Sequence, residues 1–112
     1  MMLKTGCDIV CISRFQKRLF ESSSSFFERL FLSAELCGRS GQQLVGIFAA
    51  QEAVGKALSL VPGCWLNIGI EHAASGAPQA VLTAPYPGLE ALSVSIPHDD
   101  DYATAFAVAW VR

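Results

Sequence analysis

The stretch from Gln42 to Leu58 constrains this chain most, because it reads as a helix with almost nowhere polar to point. It is rich in alanine, poor in β-branched residues and free of proline, and Pro62 and Gly63 bound its exit. Within "IFAAQEAVGKAL" only Glu52 and Lys56 carry charge. A helix that is apolar around most of its circumference is a core element, so the rest of the chain has to pack about it. The two charges lie four residues apart on one face. An exposed Glu-to-Lys pair at that spacing is worth only about 0.2–0.5 kcal/mol. Such a pair explains the spacing but not why this face of so apolar a helix should be wet.

A second isolated acid raises the same question. From Lys4 to Ile12 the chain is β-favourable, and Asp8 is the single acid in "TGCDIVCIS". A strand-end acid accepting backbone hydrogen bonds is the plain reading of Asp8. The alternative is that Asp8 and Glu52 meet at a metal ion.

Around these segments the remaining elements follow from pattern. Ser13 reads as a cap for a helix over "RFQKRLFE", with Phe15, Leu19 and Phe20 on its apolar stripe. The serines at 22–25 read as a turn before a second short helix, "FFERLF", and Ser33 as the cap of another through Leu36, closed by Gly38. After the long helix the period changes. "WLNIGIEH" reads as a strand, "AASGAP" as a turn and "QAVLT" as the returning strand of a hairpin. "LSVSI" and "YATAFAVAWV" are two further strands joined by the turn "PHDDD". A strand, several helices and then antiparallel strands of a small sheet make an α+β fold in a single domain over residues 1–112.

Composition narrows the partners. At 52% apolar and 16% charged residues the chain has more apolar surface than a small domain needs for itself, which points to contact with another subunit. A net charge of -2 leaves no basic excess to displace counterions, which excludes a broad nucleic-acid-binding surface. The basic residues are nonetheless gathered early, at Arg14, Lys17, Arg18 and Arg29, and a local basic face suits an acidic partner. The four cysteines form no CxxC pair, and those at Cys7 and Cys11 read as small hydrophobes. No signal peptide and no membrane span of about 20 apolar residues are legible, so a cytoplasmic protein with reduced thiols is expected.

Four blocks then match one family in order and spacing. "GCDIVCISRF" resembles the G-x-D-I-V-x-I-x-R opening of the holo-acyl-carrier-protein synthases, the small trimeric 4′-phosphopantetheinyl transferases. "FAAQEAVGKAL" resembles their F-A-A-K-E-A-x-x-K-A helix, "SGAPQAVL" their G-x-P hairpin, and "SVSIPHDDDYATAFAV" their closing S-x-S-H-x-x-x-Y-A-x-A segment. The resemblance implies the 4′-phosphopantetheinyl transferase fold. It also implies transfer of 4′-phosphopantetheine from coenzyme A to a serine of an acyl carrier protein, with release of adenosine 3′,5′-bisphosphate. Mg²⁺ and a homotrimer with clefts between subunits are implied as well. By the same resemblance Asp8 and Glu52 are the metal ligands, and Glu52 is a candidate proton acceptor. Lys56 stabilises the transferring phosphoryl group and His98 lies near the coenzyme A nucleotide. Arg14, with Lys17 and Arg18 beside it, meets the acidic carrier protein. His72 matches nothing functional and reads as surface.

Three positions depart from the pattern. Gln51 stands where the family usually has lysine, Ile47 where arginine is common, and Pro97 where a serine precedes the histidine. Gln51 and Ile47 are expected to weaken phosphate binding, by about 1.5–3 kcal/mol for each lost charge-assisted bond. They keep open the alternative of a weak or inactive member that binds carrier protein or nucleotide without turnover. A binding or assembly module of similar build is the reading from a different class.

Overall fold

The computed structural model describes residues 1–21, 29–36 and 40–112. The first half of the expected helix "FFERLF", residues 26–28, falls outside the described residues, as does the stop at Gly38; Arg29 and Leu30 are helical. Strand β1 (Met2–Cys11) runs into helix α1 (Ile12–Glu21); a short helix α2 (Ser33–Leu36) precedes the long helix α3 (Gly41–Leu58). Then come strands β2 (Ile68–His72), β3 (Pro78–Leu82), β4 (Leu89–Ser95), β5 (His98–Asp99) and β6 (Tyr102–Val111). The main sheet has the order β1-β6-β4 with β5 also on β6, and β2 and β3 pair as a separate antiparallel hairpin. The architecture is α+β.

Helix α3 forms where its composition demands, and both of its ends are closed. Ser40 and Gln43 make a reciprocal capping box at the start. Ser59 adopts the left-handed conformation at the end, its N–H on the carbonyls of Gly55 and Lys56. The helix lies on the sheet through small residues. Ala103, Ala105, Ala107 and Ala109 alternate along β6 and are all buried, as are Ala49, Ala50, Ala53 and Ala57 of α3. Gly6 of β1 completes this surface: a Cβ there would stand 2.2 Å from the Ala53 carbonyl oxygen and 2.6 Å from the Ala57 nitrogen. Strand and helix are therefore in backbone contact.

Three local expectations are corrected. Helix α1 is not capped by Ser13. It starts at Ile12, two residues earlier than expected, and Asp101 of the β5–β6 turn closes it: the Asp101 carbonyl accepts from Ile12 N–H at 2.7 Å and its carboxylate from Ser13 N–H at 3.0 Å. The run "WLNIGIEH" is not one strand, because Trp65–Asn67 forms a 3₁₀ turn, with Asn67 N–H on the Cys64 carbonyl, before β2 begins. "PHDDD" is more than a turn, since His98 and Asp99 pair with Ala103 and Tyr102.

Candidate active site

On α3 the residues Phe48, Glu52 and Lys56 follow one another at four-residue steps and share a face. Strand β1 runs antiparallel along that face. Its far end is level with Phe48, because Ile9, Val10 and Phe48 line one cavity, while Gly6 abuts Ala53 and Ala57. Asp8 lies between these two points on the same side of the strand as Gly6. Asp8 and Glu52, 44 positions apart in the chain, are both near enough to Lys56 for their charges to act on its ammonium.

Lys56 joins the group directly. Its Nζ donates to Asp8 Oδ1 at 2.9 Å and to the Cys7 carbonyl at 3.0 Å, with the lysine side chain 54% and the Asp8 side chain 18% exposed. The hydrogen bond to Asp8 holds the ammonium above the ordinary lysine value; burial is the next influence and opposes it, while the charges of Asp8, Glu52 and Cys7 add to it. Glu52 is held from the other side, where Trp65 Nε1 donates to its Oε1 at 3.0 Å. Among the described residues no hydrogen bond engages Asp8 Oδ2 or Glu52 Oε2. A cavity of about 280 Å³ adjoins Glu52 and Lys56, walled by Leu60, Val61, Pro62 and Trp65.

This donor set suits a hard cation that brings part of its own shell. Among the described residues no three His, Cys, Asp or Glu side chains cluster into a self-sufficient cage. Two carboxylates with one unengaged oxygen each fit Mg²⁺, whose remaining positions go to water and phosphate.

The other expected residues fall elsewhere. Arg14 and Arg18 line the cavity of about 240 Å³ that Phe48 closes, one turn of α3 away from Glu52, whereas Lys17 is exposed but does not line that cavity. His98 is not beside the acids. It lines a cavity of about 330 Å³ at the opposite end of α3, with Gln42, Gly46 and Ile47. His72, read from sequence as plain surface, lines that same cavity. Gln51 does not face phosphate as expected: it is 1% exposed, and its amide donates to the carbonyls of Leu30, Trp65 and Ile68 at 2.9, 3.3 and 3.3 Å.

Two residues went unrecognised in the sequence. Trp65 is thirteen positions from Glu52 across a loop, so no helical spacing announces the contact. Glu35 is buried and accepts from the Leu32 and Ile70 N–H groups, both at 2.8 Å, which fastens α2 to β2. Glu35 sits inside the acidic half of a helix start, and that pattern alone does not separate a buried staple from a surface acid.

Comparison with known proteins bears on this geometry. Residues 4–110 match the model of the 4′-phosphopantetheinyl transferase superfamily. The chain is 38% identical over 118 residues to a holo-[acyl-carrier-protein] synthase of Kocuria rhizophila, spanning 97% of this chain and 93% of that one. Its fold is similar to the crystal structure of the Helicobacter pylori holo-[acyl-carrier-protein] synthase in complex with coenzyme A, with a TM-score of 0.83 and 31% identity over 95% of this chain and 99% of that one. It is similar also to a coenzyme A complex of the enzyme from Chronobacterium ammoniagenes, with a TM-score of 0.86 and 27% identity over 100% of this chain and 99% of that one.

Proposed function

This chain belongs to the 4′-phosphopantetheinyl transferase superfamily, among its holo-[acyl-carrier-protein] synthases, and on that premise we propose that its own acids and lysine carry out the transfer. The substrates are coenzyme A and an apo acyl carrier protein, and the reaction is Mg²⁺-dependent. The serine oxygen of the carrier forms a bond to the phosphorus that bears the pantetheine arm. The bond from that phosphorus to the nucleotide breaks, and adenosine 3′,5′-bisphosphate leaves. The observation that supports this reading is that Lys56 of α3 bonds Asp8 of β1 and also feels the charge of Glu52, one turn away on its own helix.

The roles follow from chemistry. Asp8 and Glu52 are the residues that would hold Mg²⁺, which when bound neutralises the diphosphate. Glu52 takes the proton of the incoming serine. Lys56, half exposed and tethered only at its tip, turns from Asp8 to the transferring phosphoryl group and offsets its charge. Arg14 and Arg18, with Lys17 on the same helix, receive the acidic carrier protein beside this centre.

The separation of His98 from the acids supports a site shared between subunits. His98 and the acids border separate cavities toward opposite ends of α3. We assign His98 to the coenzyme A held by a neighbouring copy in a homotrimer. The outer face of the sheet supports the same assembly, since Leu3, Ile9, Phe106, Val108 and Trp110 are all exposed on it. In this reading residues 1–112 act as one domain, in a reducing cytoplasm where Cys7, Cys11 and Cys64 stay free.

Intact mass spectrometry tests the proposal. With coenzyme A and Mg²⁺, an apo carrier protein is expected to gain phosphopantetheine. Asp8→Ala and Glu52→Ala are each expected to lower the rate by at least about 10³-fold, and Lys56→Ala by about 10²–10³-fold. Carrier binding without any mass gain across a panel of apo carriers would contradict it.

A further inference from the structure

The bond that orients Glu52 comes from outside the helix and strand that form the acidic pair. Trp65 opens the 3₁₀ turn after α3 and points its indole N–H at Glu52 Oε1, 3.0 Å away. The turn is itself fixed from beneath. The buried amide of Gln51, next in sequence to Glu52, donates to the carbonyls of Trp65 and Ile68, so the two ends of the turn are tied to α3 one residue from the acid. The indole ring also closes an aromatic row, 6.1 Å from Phe48, which packs on Phe15 at 4.6 Å.

We propose that Trp65 is a positioning residue for the cation site: its N–H occupies one oxygen of Glu52, fixes the carboxylate rotamer and leaves Oε2 to bind the metal. The inference rests on the metal-site reading given above and deepens it. An indole N–H donates and never accepts, so it can hold a carboxylate but cannot compete for the cation. A free glutamate has three side-chain rotors to arrest when it binds metal, and this contact arrests them beforehand. The bond is part-buried, which strengthens it relative to one in open water. Removing the hydrogen-bond partner of a metal-ligating group lowers metal affinity by roughly 10–100-fold.

The test separates the N–H from the ring. Trp65→Phe keeps the contact with Phe48 and deletes the donor. Mn²⁺ binding is read by electron paramagnetic resonance in the presence of coenzyme A without carrier protein. The Kd is expected to rise about 10–100-fold. In the transfer reaction the KM for Mg²⁺ rises by a similar factor, while kcat at saturating Mg²⁺ changes much less. If Trp65→Phe does not fold, benzothienylalanine at position 65, isosteric with tryptophan and lacking the N–H, gives the same measurement. Wild-type protein that binds Mn²⁺ and a folded variant that binds it equally well would overturn the inference alone. Wild-type protein that binds no Mn²⁺ would overturn the metal-site reading and the inference with it.

Discussion

Asp101 shows how a single side chain can serve a helix from the far end of the chain. Its carboxylate accepts from the Ser13 N–H and hydroxyl and from the Cys11 thiol. The Ser13 hydroxyl bond, and after it the Cys11 thiol, hold its pKa below the ordinary aspartate value. A depressed carboxylate stabilises the fold above its unfolded pKa, and the effect is lost as the pH falls through the folded value. Asp101→Asn is therefore expected to lower Tm by a few degrees at neutral pH. The gap to wild type should close in acid, as thermal melts from pH 7 downward will show; a gap that stays constant would contradict the account. Ser13 was the cap that the sequence suggested, and it does belong to the motif. The acceptor was hidden because it lies 88 positions away.

At the scale of elements, strand and helix patterns were legible wherever one period ran undisturbed. Strand β6 occupies Tyr102–Val111, the whole of "YATAFAVAWV", and α3 differs from its reading by one residue at its start. Trp65–Asn67 was misread because a β-prone tryptophan beside a true strand carries no mark of the turn that the Cys64 carbonyl closes. The acids, Lys56 and the basic residues of α1 were legible as candidates, but the tie from Trp65 to Glu52 and the inward turn of Gln51 depend on tertiary contact. Gly6 was equally silent, although it sets how closely β1 approaches α3. Gly6→Ala places a methyl group against two backbone atoms of α3, with an expected loss of about 2 kcal/mol or more in denaturant titrations. Gly55→Ala is the contrast. Its Cβ meets nothing within 4 Å, so the gain in helix propensity of about 0.5–1 kcal/mol should appear undiminished. Equal effects at the two positions would refute the backbone contact.

For the molecule as a whole, the sheet has one face sealed by alanines against α3 and another that leaves large apolar groups in water. Among the described residues no helix is long and apolar enough to cross a membrane. A second and third copy are the occupants proposed for that outer face. Native mass spectrometry should give three times 12.0 kDa, and Phe106→Asp, on a residue 53% exposed in the single chain, should shift the population to monomer and abolish transfer. A wild-type monomer with full activity would contradict the shared site. The claim beneath all of this is that Asp8 and Glu52 grip one divalent ion, and crystals grown with coenzyme A and Mn²⁺ test it most directly. Anomalous scattering is predicted to give one manganese peak bonded to an oxygen of each acid, with Lys56 turned away from Asp8 toward phosphate. Manganese elsewhere, or no peak while Lys56 still holds Asp8 beside bound coenzyme A, would contradict it.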